Sequence, residues 1–444
     1  MNNRVFKEMM ALIIPMTLQS FMLALVSATD ALMLGFLDQI CLSSVSLATQ
    51  VQFLFNLLIF GVIGGFNIVC AQYWGKEDIN SIEKIVPIAL RVNVIGGLIF
   101  TLAALFVPDL LMKVLTNDAL LIAKGAQYLR YVAFSYVLCG ISQVYLAVMK
   151  NTGNAKLSSL ISSVAVVFNI VADAVLIFGL CGFPKLGVIG AALATVLARL
   201  LKCLWCLYAS RGSNVQVCWE AMFNKTELEK DFWYYTWPTM MASLVWGIAT
   251  WLYTIIIGHL NSDAVAAYSI ASVSKQLVSC LFRGFGSAVA IYLGNLLGGD
   301  HLAEAKRYGG IFAWISVAMG LACGALLIAL SPFILSIVQM SDVAKDYLRM
   351  MLFFSAFNIA AQSYNFTVLD GIFCAGGDSR FDMLNNIWAM WLLSLPLGYL
   401  AAFVFKWPVF AVFVCLNMDE IVKIPLVIWR YFQYKWLRNI TREA

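Results

Sequence analysis

Twelve apolar runs, most of them twenty residues or longer, divide this chain from end to end. They lie at about 9–37, 42–73, 84–108, 124–149, 156–180, 186–209, 232–258, 264–297, 306–333, 343–373, 381–405 and 407–431. About twenty such residues wound as a helix cross the roughly 30 Å hydrocarbon core of a bilayer. A water-soluble fold could not bury so many. The chain is 62% hydrophobic and 12% charged, where a soluble domain is about 25% charged. A membrane β-barrel would show short alternating segments instead. The pattern predicts an all-α integral membrane protein with twelve transmembrane helices, the longest tilted, kinked or projecting beyond the bilayer. Val26-Ser27-Ala28 has the small-residue spacing of a leader cleavage site. The run before it exceeds the roughly 7–15 residues of a signal core, so it is read as the first membrane helix.

Lys and Arg fix the expected orientation, since cytoplasmic flanks carry their excess. With both termini on one side, nineteen bases fall on that side, Arg4, Arg199, Lys202 and Arg442 among them, against seven on the other. Both termini are therefore expected in the cytoplasm, in a plasma or inner membrane. The net charge of +5 is an orientation signal and implies no nucleic-acid partner. The expected partners are the lipid bilayer and a small-molecule substrate, with the protein a monomer.

Two carboxylates stand alone inside apolar runs. Asp30 is the only charge between Met9 and Leu37, and Asp173 the only one between Leu157 and Pro184. A carboxylate at mid-membrane costs roughly 2.5–3.5 kcal/mol on insertion scales and usually marks an ion or proton path. Asn169 lies one turn before Asp173, so amide and carboxylate share a helix face. Such oxygen ligands suit a Na+ site. The same acids could instead share a proton, because two close carboxyls resist ionising together. For each the competing reading is a hydrogen bond between helices.

The chain reads as duplicated. Pro15 matches Pro238, an offset of 223; Ala71–Gly75 matches Ala290–Gly294, an offset of 219; Asn151–Asn154 matches Ala375–Asp378, an offset of 224. Each pair falls at the same place in the helix order. The expected domains are a six-helix lobe at 1–210, a cytoplasmic linker at 211–231, a second six-helix lobe at 232–433 and a basic cytoplasmic tail at 434–444. Parallel repeats of this kind suit alternating access between lobes. Pro15 is a natural bend point, since proline removes a backbone hydrogen bond. Shifting Asp30 by 223 gives Tyr253, and shifting Asn169 and Asp173 by 224 gives Leu393 and Leu397. The second lobe instead carries Lys275 and Arg283, so the first lobe is expected to hold the buried acids and the second the buried bases.

Lys275 and Arg283 would favour an anionic or zwitterionic substrate if they line the path, and are structural if they pair with Asp370, Asp419 or Glu420. Trp246, Trp251 and Tyr253 on the seventh helix are aromatic candidates for a cation–π contact to an organic cation, against ordinary packing. No metal cluster is expected from His259 and His301, which fall at helix ends, and Cys203 with Cys206 is a single C-x-x-C that reads as apolar filler. No G-x-x-x-x-G-K-[ST] loop occurs, no nucleophile–base set appears, and no cofactor is expected. The chain is read as a non-enzyme driven by an ion gradient.

Several short motifs, taken in order, resemble the multidrug and toxic compound extrusion (MATE) family. They are Tyr73-Trp74-Gly75 and Tyr292-Leu293-Gly294, the turns Gly153-Asn154-Ala155-Lys156 and Gly376-Gly377-Asp378-Ser379-Arg380, and the closing Lys435-Trp436. The resemblance spans essentially the whole chain. It implies a V-shaped pair of bundles exporting amphipathic, drug-like cations in exchange for Na+ or H+. In members with a first-lobe cation site, the resemblance assigns ligands to Asp30, Asn169, Asp173 and Thr195, with the Ala191 carbonyl a further one, in the pattern Gly187 to Thr195. The family's second-lobe Glu position is Trp246 here, which makes the chain similar to the DinF-type branch. The rival reading is a flippase or exporter of an anionic or lipid-linked substrate that uses Lys275 and Arg283.

Overall fold

A computed structural model describes residues 3–36, 39–212, 215, 227–338 and 340–442. Most of the linker at 211–231 lies outside the described residues. The described chain is helical, and its elements follow from local chemistry. Helix α1 (Asn3–Gly35) carries Pro15 inside it, and α2 (Gln39–Gly75) follows. Helix α3 (Ile79–Phe106) is capped by Asp78, whose carboxylate accepts from the Ser81 amide and hydroxyl at 3.0 and 2.7 Å. Such a cap satisfies amides that a helix start leaves unpaired.

The fourth expected span is not one straight helix. After the short α4 (Pro108–Leu115), α5 (Ala119–Val132) and α6 (Ser135–Asn151) meet at a 48° bend. Helices α7 (Ala155–Phe178) and α8 (Val188–Ser210) complete the first half. The second half comprises α9 (Glu227–Gly258) with Pro238 inside it, α10 (Ser262–Gly298), α11 (Leu302–Ile337) and α12 (Asp342–Phe366). A wide-turned stretch, Thr367–Phe373, extends α12. The eleventh span alternates tight and wide turns through α13 (Ser379–Asn386) and α14 (Leu395–Tyr399). The last is broken into α15 (Val409–Asn417) and α16 (Asp419–Phe432).

Among the described residues, nine helices are long and apolar enough to cross a bilayer, and the bent α5–α6 pair makes a tenth. The two expected passages outside that set are the chain through α12 and the broken α15–α16. The first is more polar and the second is broken, and the two features meet. Asn358 and Asn365, two turns apart on α12, donate to the carbonyls of Asn417 and Glu420, each at 2.6 Å. Those carbonyls flank the break at Met418, so the asparagines satisfy backbone that lipid could not.

The duplication reappears in the backbone. Gly153 and Gly377 both end helices at positive φ, 82° and 72°. The amide after each reaches back five residues, Asn154 to the Met149 carbonyl at 2.8 Å and Asp378 to that of Phe373 at 2.9 Å. This is the left-handed helix stop that glycine permits. Glu77 and Asp300, 223 apart like Pro15 and Pro238, both take φ near 60° in the turns after α2 and α10.

Two compact units emerge: one is Leu18–Cys70 with Asp78–Met240, the other Met1–Thr17, Ala71–Glu77 and Met241–Ala444. Their borders include breaks within α1 and α9, shortly after Pro15 and Pro238, and another within α2. In the second unit, glycines allow backbones to touch. A Cβ at Gly75 would sit 2.0 Å from the Asn295 carbonyl oxygen, and one at Gly298 would sit 1.8 Å from that of Gln72. The Y-W-G motif is thus a close crossing of the ends of α2 and α10. The tail from Trp436 to Arg442 seals the same end. Gln72 donates to the Ala375 carbonyl at 2.7 Å and accepts from the Ile440 amide at 2.8 Å. Arg438 donates to the Gly376 and Gly377 carbonyls at 2.8 and 2.7 Å. Trp436 is fully buried.

Candidate functional site

In the unit holding Leu18–Cys70 and Asp78–Met240, α7 buries a stripe that includes Ser162, Val166, Asn169, Asp173 and Ile177. These recur every three or four residues, the spacing of one helix face. Gln19 on α1 donates to Ser162 at 2.9 Å and ties the two helices together. Higher on the same pair, the carboxyl groups of Asp30 and Asp173 come within hydrogen-bonding reach of one another. Asp173 is 1% exposed, Asn169 is buried and Asp30 is half-buried.

A contact between two carboxyls requires a proton between them. With both ionised, Asp30 Oδ1 and Asp173 Oδ2 have no donor among the described residues, and neither amide hydrogen of Asn169 Nδ2 has an acceptor. Unsatisfied buried carboxylate oxygens are costly. The arrangement offers carboxylate and amide oxygens that a cation or a shared proton would satisfy.

Helix α8 lies close to α7 because Gly190 lets it: a Cβ there would fall 2.6 Å from the Leu176 carbonyl oxygen. Thr195 donates its hydroxyl hydrogen to the Ala191 carbonyl at 3.0 Å. The Ala191 oxygen is thus already engaged by its own helix, while the Thr195 oxygen keeps its lone pairs. One turn further along α8 stands Arg199, which donates to the Ser135 carbonyl and hydroxyl at 3.2 and 2.9 Å. Its charge acts on Asp30. Counting Arg199 with the cytoplasmic flank is corrected here. It sits mid-helix, held by the start of α6, and belongs to the electrostatics of the acid pair. Tyr128, also buried, lies within the field of both acids.

The expected division of charge, acids in the first half and bases in the second, does not hold. The second half buries Asp382, Asp419 and Lys423. Lys423 Nζ lies 3.2 Å from Asp419 Oδ2 and 3.5 Å from Glu420 Oε1. Asn365 donates to Glu420 Oε2 at 2.8 Å, and Asn386 to Asp382 at 3.1 Å. Lys275 does not ion-pair with these acids; it donates to Asn358 Oδ1 at 2.7 Å. Arg283 lies over the Trp246 and Phe366 rings, 5.9 and 5.3 Å from their centroids. Asp370, in the wide-turned stretch, is exposed and attracts Arg283 without forming an ion pair. Sequence reasoning passed over Lys423, although its spacing from Asp419 and Glu420, four and three residues, is the helical ion-pair spacing.

The seventh-helix aromatics separate. Tyr253 is 4% exposed in a core with Ala249, Ile256 and Met390, which removes it from the substrate-path candidates. Trp251 is exposed, and at five residues from Trp246 it lies about 140° around the helix. Of the three, Trp246 is the one that lies against a base, Arg283. Cys203 and Cys206 are free thiols buried in α8.

Comparison with known proteins matches this chain twice to one family model, MatE, at residues 15–175 and 238–400. The two matches begin 223 residues apart, the offset of the two prolines. The chain is 22% identical over 458 residues to a Bacillus subtilis protein named "Probable multidrug resistance protein YoeA", covering 99% of this chain and 96% of that one. Its fold matches that of a multidrug resistance MATE family transporter solved in an outward-facing conformation, with TM-score 0.87, 19% identity, and 97% and 96% of the two chains covered. It matches equally a MOP superfamily transporter from Pyrococcus furiosus, with TM-score 0.87, 18% identity, and 97% and 95% covered.

Proposed function

This chain belongs to the MatE family of multi-pass membrane transporters, and from that premise we propose a secondary active antiporter that exports small amphipathic compounds in exchange for Na+ or H+. The observation that carries the proposal is the facing pair Asp30 and Asp173, with Asn169 one turn away. In the proposed cycle a cation or proton enters between the carboxyls, with Thr195 as a further oxygen ligand. Neutralising the pair removes the repulsion between α1 and α7 and lets α1 bend near Pro15, where it passes from one compact unit to the other. That movement couples ion entry to substrate release by alternating access.

A first-half cation site is the DinF-type arrangement. The orientation proposed is with both termini in the cytoplasm of a cell membrane; dropping Arg199 from the nineteen cytoplasmic bases leaves eighteen against seven. The protein is proposed to act as a monomer. The similar proteins named for multidrug resistance support an amphipathic substrate. Their names do not extend to its charge.

The test uses purified protein in liposomes, following a fluorescent organic cation and a fluorescent aromatic carboxylate under separately imposed Na+ and pH gradients. Ion-driven movement in the parent protein, lost in a folded Asp173→Asn variant, is the expected result and names the coupling ion. Normal ion-driven export by that variant would sink the proposal.

A further inference from the structure

Arg283 carries five N–H donors and, among the described residues, no hydrogen bond or ion pair to receive them. Several other charged groups of this unit have partners. Lys423 is held by Asp419 and Glu420, Lys275 by Asn358, and Asp382 by Asn386. An arginine at membrane depth is expected to pair with an acid, and Asp370 is the acid whose charge acts on it most strongly. Yet the two form no ion pair; Asp370 is exposed and Arg283 half-buried.

What holds Arg283 is aromatic. Gly286, one turn on along α10, has no Cβ to fend off Phe366; one there would lie 2.7 Å from its ring. Phe282 meets the same ring edge-on at 6.2 Å. Trp246 packs against the core of this unit, with its ring centroid 5.9 Å from the guanidinium carbon. Two ring contacts hold the guanidinium, and among the described residues no hydrogen-bond acceptor takes its N–H groups.

We propose that Arg283 anchors the anionic group of the transported molecule, so that the substrate class is a planar amphipathic carboxylate whose ring packs on Trp246 and Phe366. The guanidinium fork matches a carboxylate bidentately. The flanking rings favour a flat organic body over a compact inorganic anion. Lys275 is a weaker candidate for the anchor because Asn358 already engages it. This inference rests on the antiporter reading only for the fact that the bound molecule is moved.

Equilibrium binding to the full-length protein in nanodiscs, with no gradient, tests it by calorimetry with 2-naphthoate, 2-naphthamide, 2-naphthylmethylammonium and acetate. Empty nanodiscs correct for partitioning. Naphthoate is expected to bind tightest, acetate and the ammonium compound weakly. Arg283→Gln is expected to weaken naphthoate by about ten- to a hundredfold, the range of a hydrogen-bonded charge, and to leave naphthamide unchanged. Arg283→Lys keeps the charge without the fork and is expected to fall between; it also serves if the Gln variant does not fold. Phe366→Leu is expected to weaken naphthoate and naphthamide alike. Equal affinity for naphthoate and naphthamide in the parent protein, or undiminished naphthoate binding in the Arg283 variants, overturns the inference. A failure of ion coupling would appear separately, as binding without gradient-driven movement.

Discussion

Lys423 Nζ lies 3.2 Å from Asp419 Oδ2, one turn away on α16, with both side chains almost wholly buried. Glu420 completes the cluster at 3.5 Å. Removing one member of a buried pair leaves a stranded charge and costs about 3–5 kcal/mol. Lys423→Met is therefore expected to lower the unfolding midpoint sharply in detergent. Adding Asp419→Asn and Glu420→Gln is expected to restore most of the loss. An unchanged melt in the single variant would mean the cluster is solvated.

Arg199 competes with a cation or proton for the negative charge of Asp30. Removing its charge is expected to strengthen cation or proton binding, because the pair then faces no positive neighbour. Arg199→Gln should lower the half-saturating ion concentration by roughly three- to tenfold, a shift of about 1 kcal/mol. Release would slow accordingly. A rise in that concentration would argue that the Ser135 bonds, and not the charge, are what Arg199 contributes.

Substrate charge sets the strength of the exchange. One cation entering for one monovalent cation leaving moves no net charge. One cation entering for one carboxylate leaving moves two, and each is worth about 2.3 kcal/mol per 100 mV. Export of an aromatic carboxylate is thus expected to accelerate when a potassium diffusion potential makes the cytoplasmic side negative. Liposome flux with and without valinomycin checks this, and indifference to potential contradicts it.

Two glycines in the repeated turns are needed for different reasons. A Cβ at Gly376 would lie 1.6 Å from the Trp436 carbonyl oxygen, while one at Gly153 meets nothing within 4 Å but must be borne at φ +82°. Gly376→Ala is expected to unseat the tail at a cost of about 1–3 kcal/mol, and Gly153→Ala to cost about 1 kcal/mol of backbone strain. Limited proteolysis of the C-terminus should separate them: only Gly376→Ala is expected to expose it.

The duplication was legible because a turn repeats in sequence as it does in backbone, Gly153 with Gly377. But the pairing of Ala71–Gly75 with Ala290–Gly294 was about one helical turn off, since Glu77 and Asp300 set the offset there at 223. Asp30, Asn169 and Asp173 were legible because isolated charge in an apolar run is conspicuous, and the structure brings the two acids together. The polar cluster of the second half was not. Asn358 and Asn365 carry no charge to draw attention, and their partners at the Met418 break are backbone carbonyls, which every residue has. Tyr253 was misplaced because helical spacing gives a face but not what covers it. Thr195 and Ala191 were indicated by resemblance alone, and their mutual bond shows in neither pattern nor composition.

The compact units trade pieces of chain. The first turns of α1 and the end of α2 pack with 241–444, and the first turns of α9 pack with the earlier residues. Thr17 presses where Gly284 has no side chain, and Gly65 makes the same room for Thr236. A single six-helix copy, before duplication, would have lacked the segments that complete its own interior. It would have had to borrow them from a second copy, as a domain-swapped dimer does. In one chain such an exchange does not depend on concentration, and two separately expressed halves should fold only when they are made together.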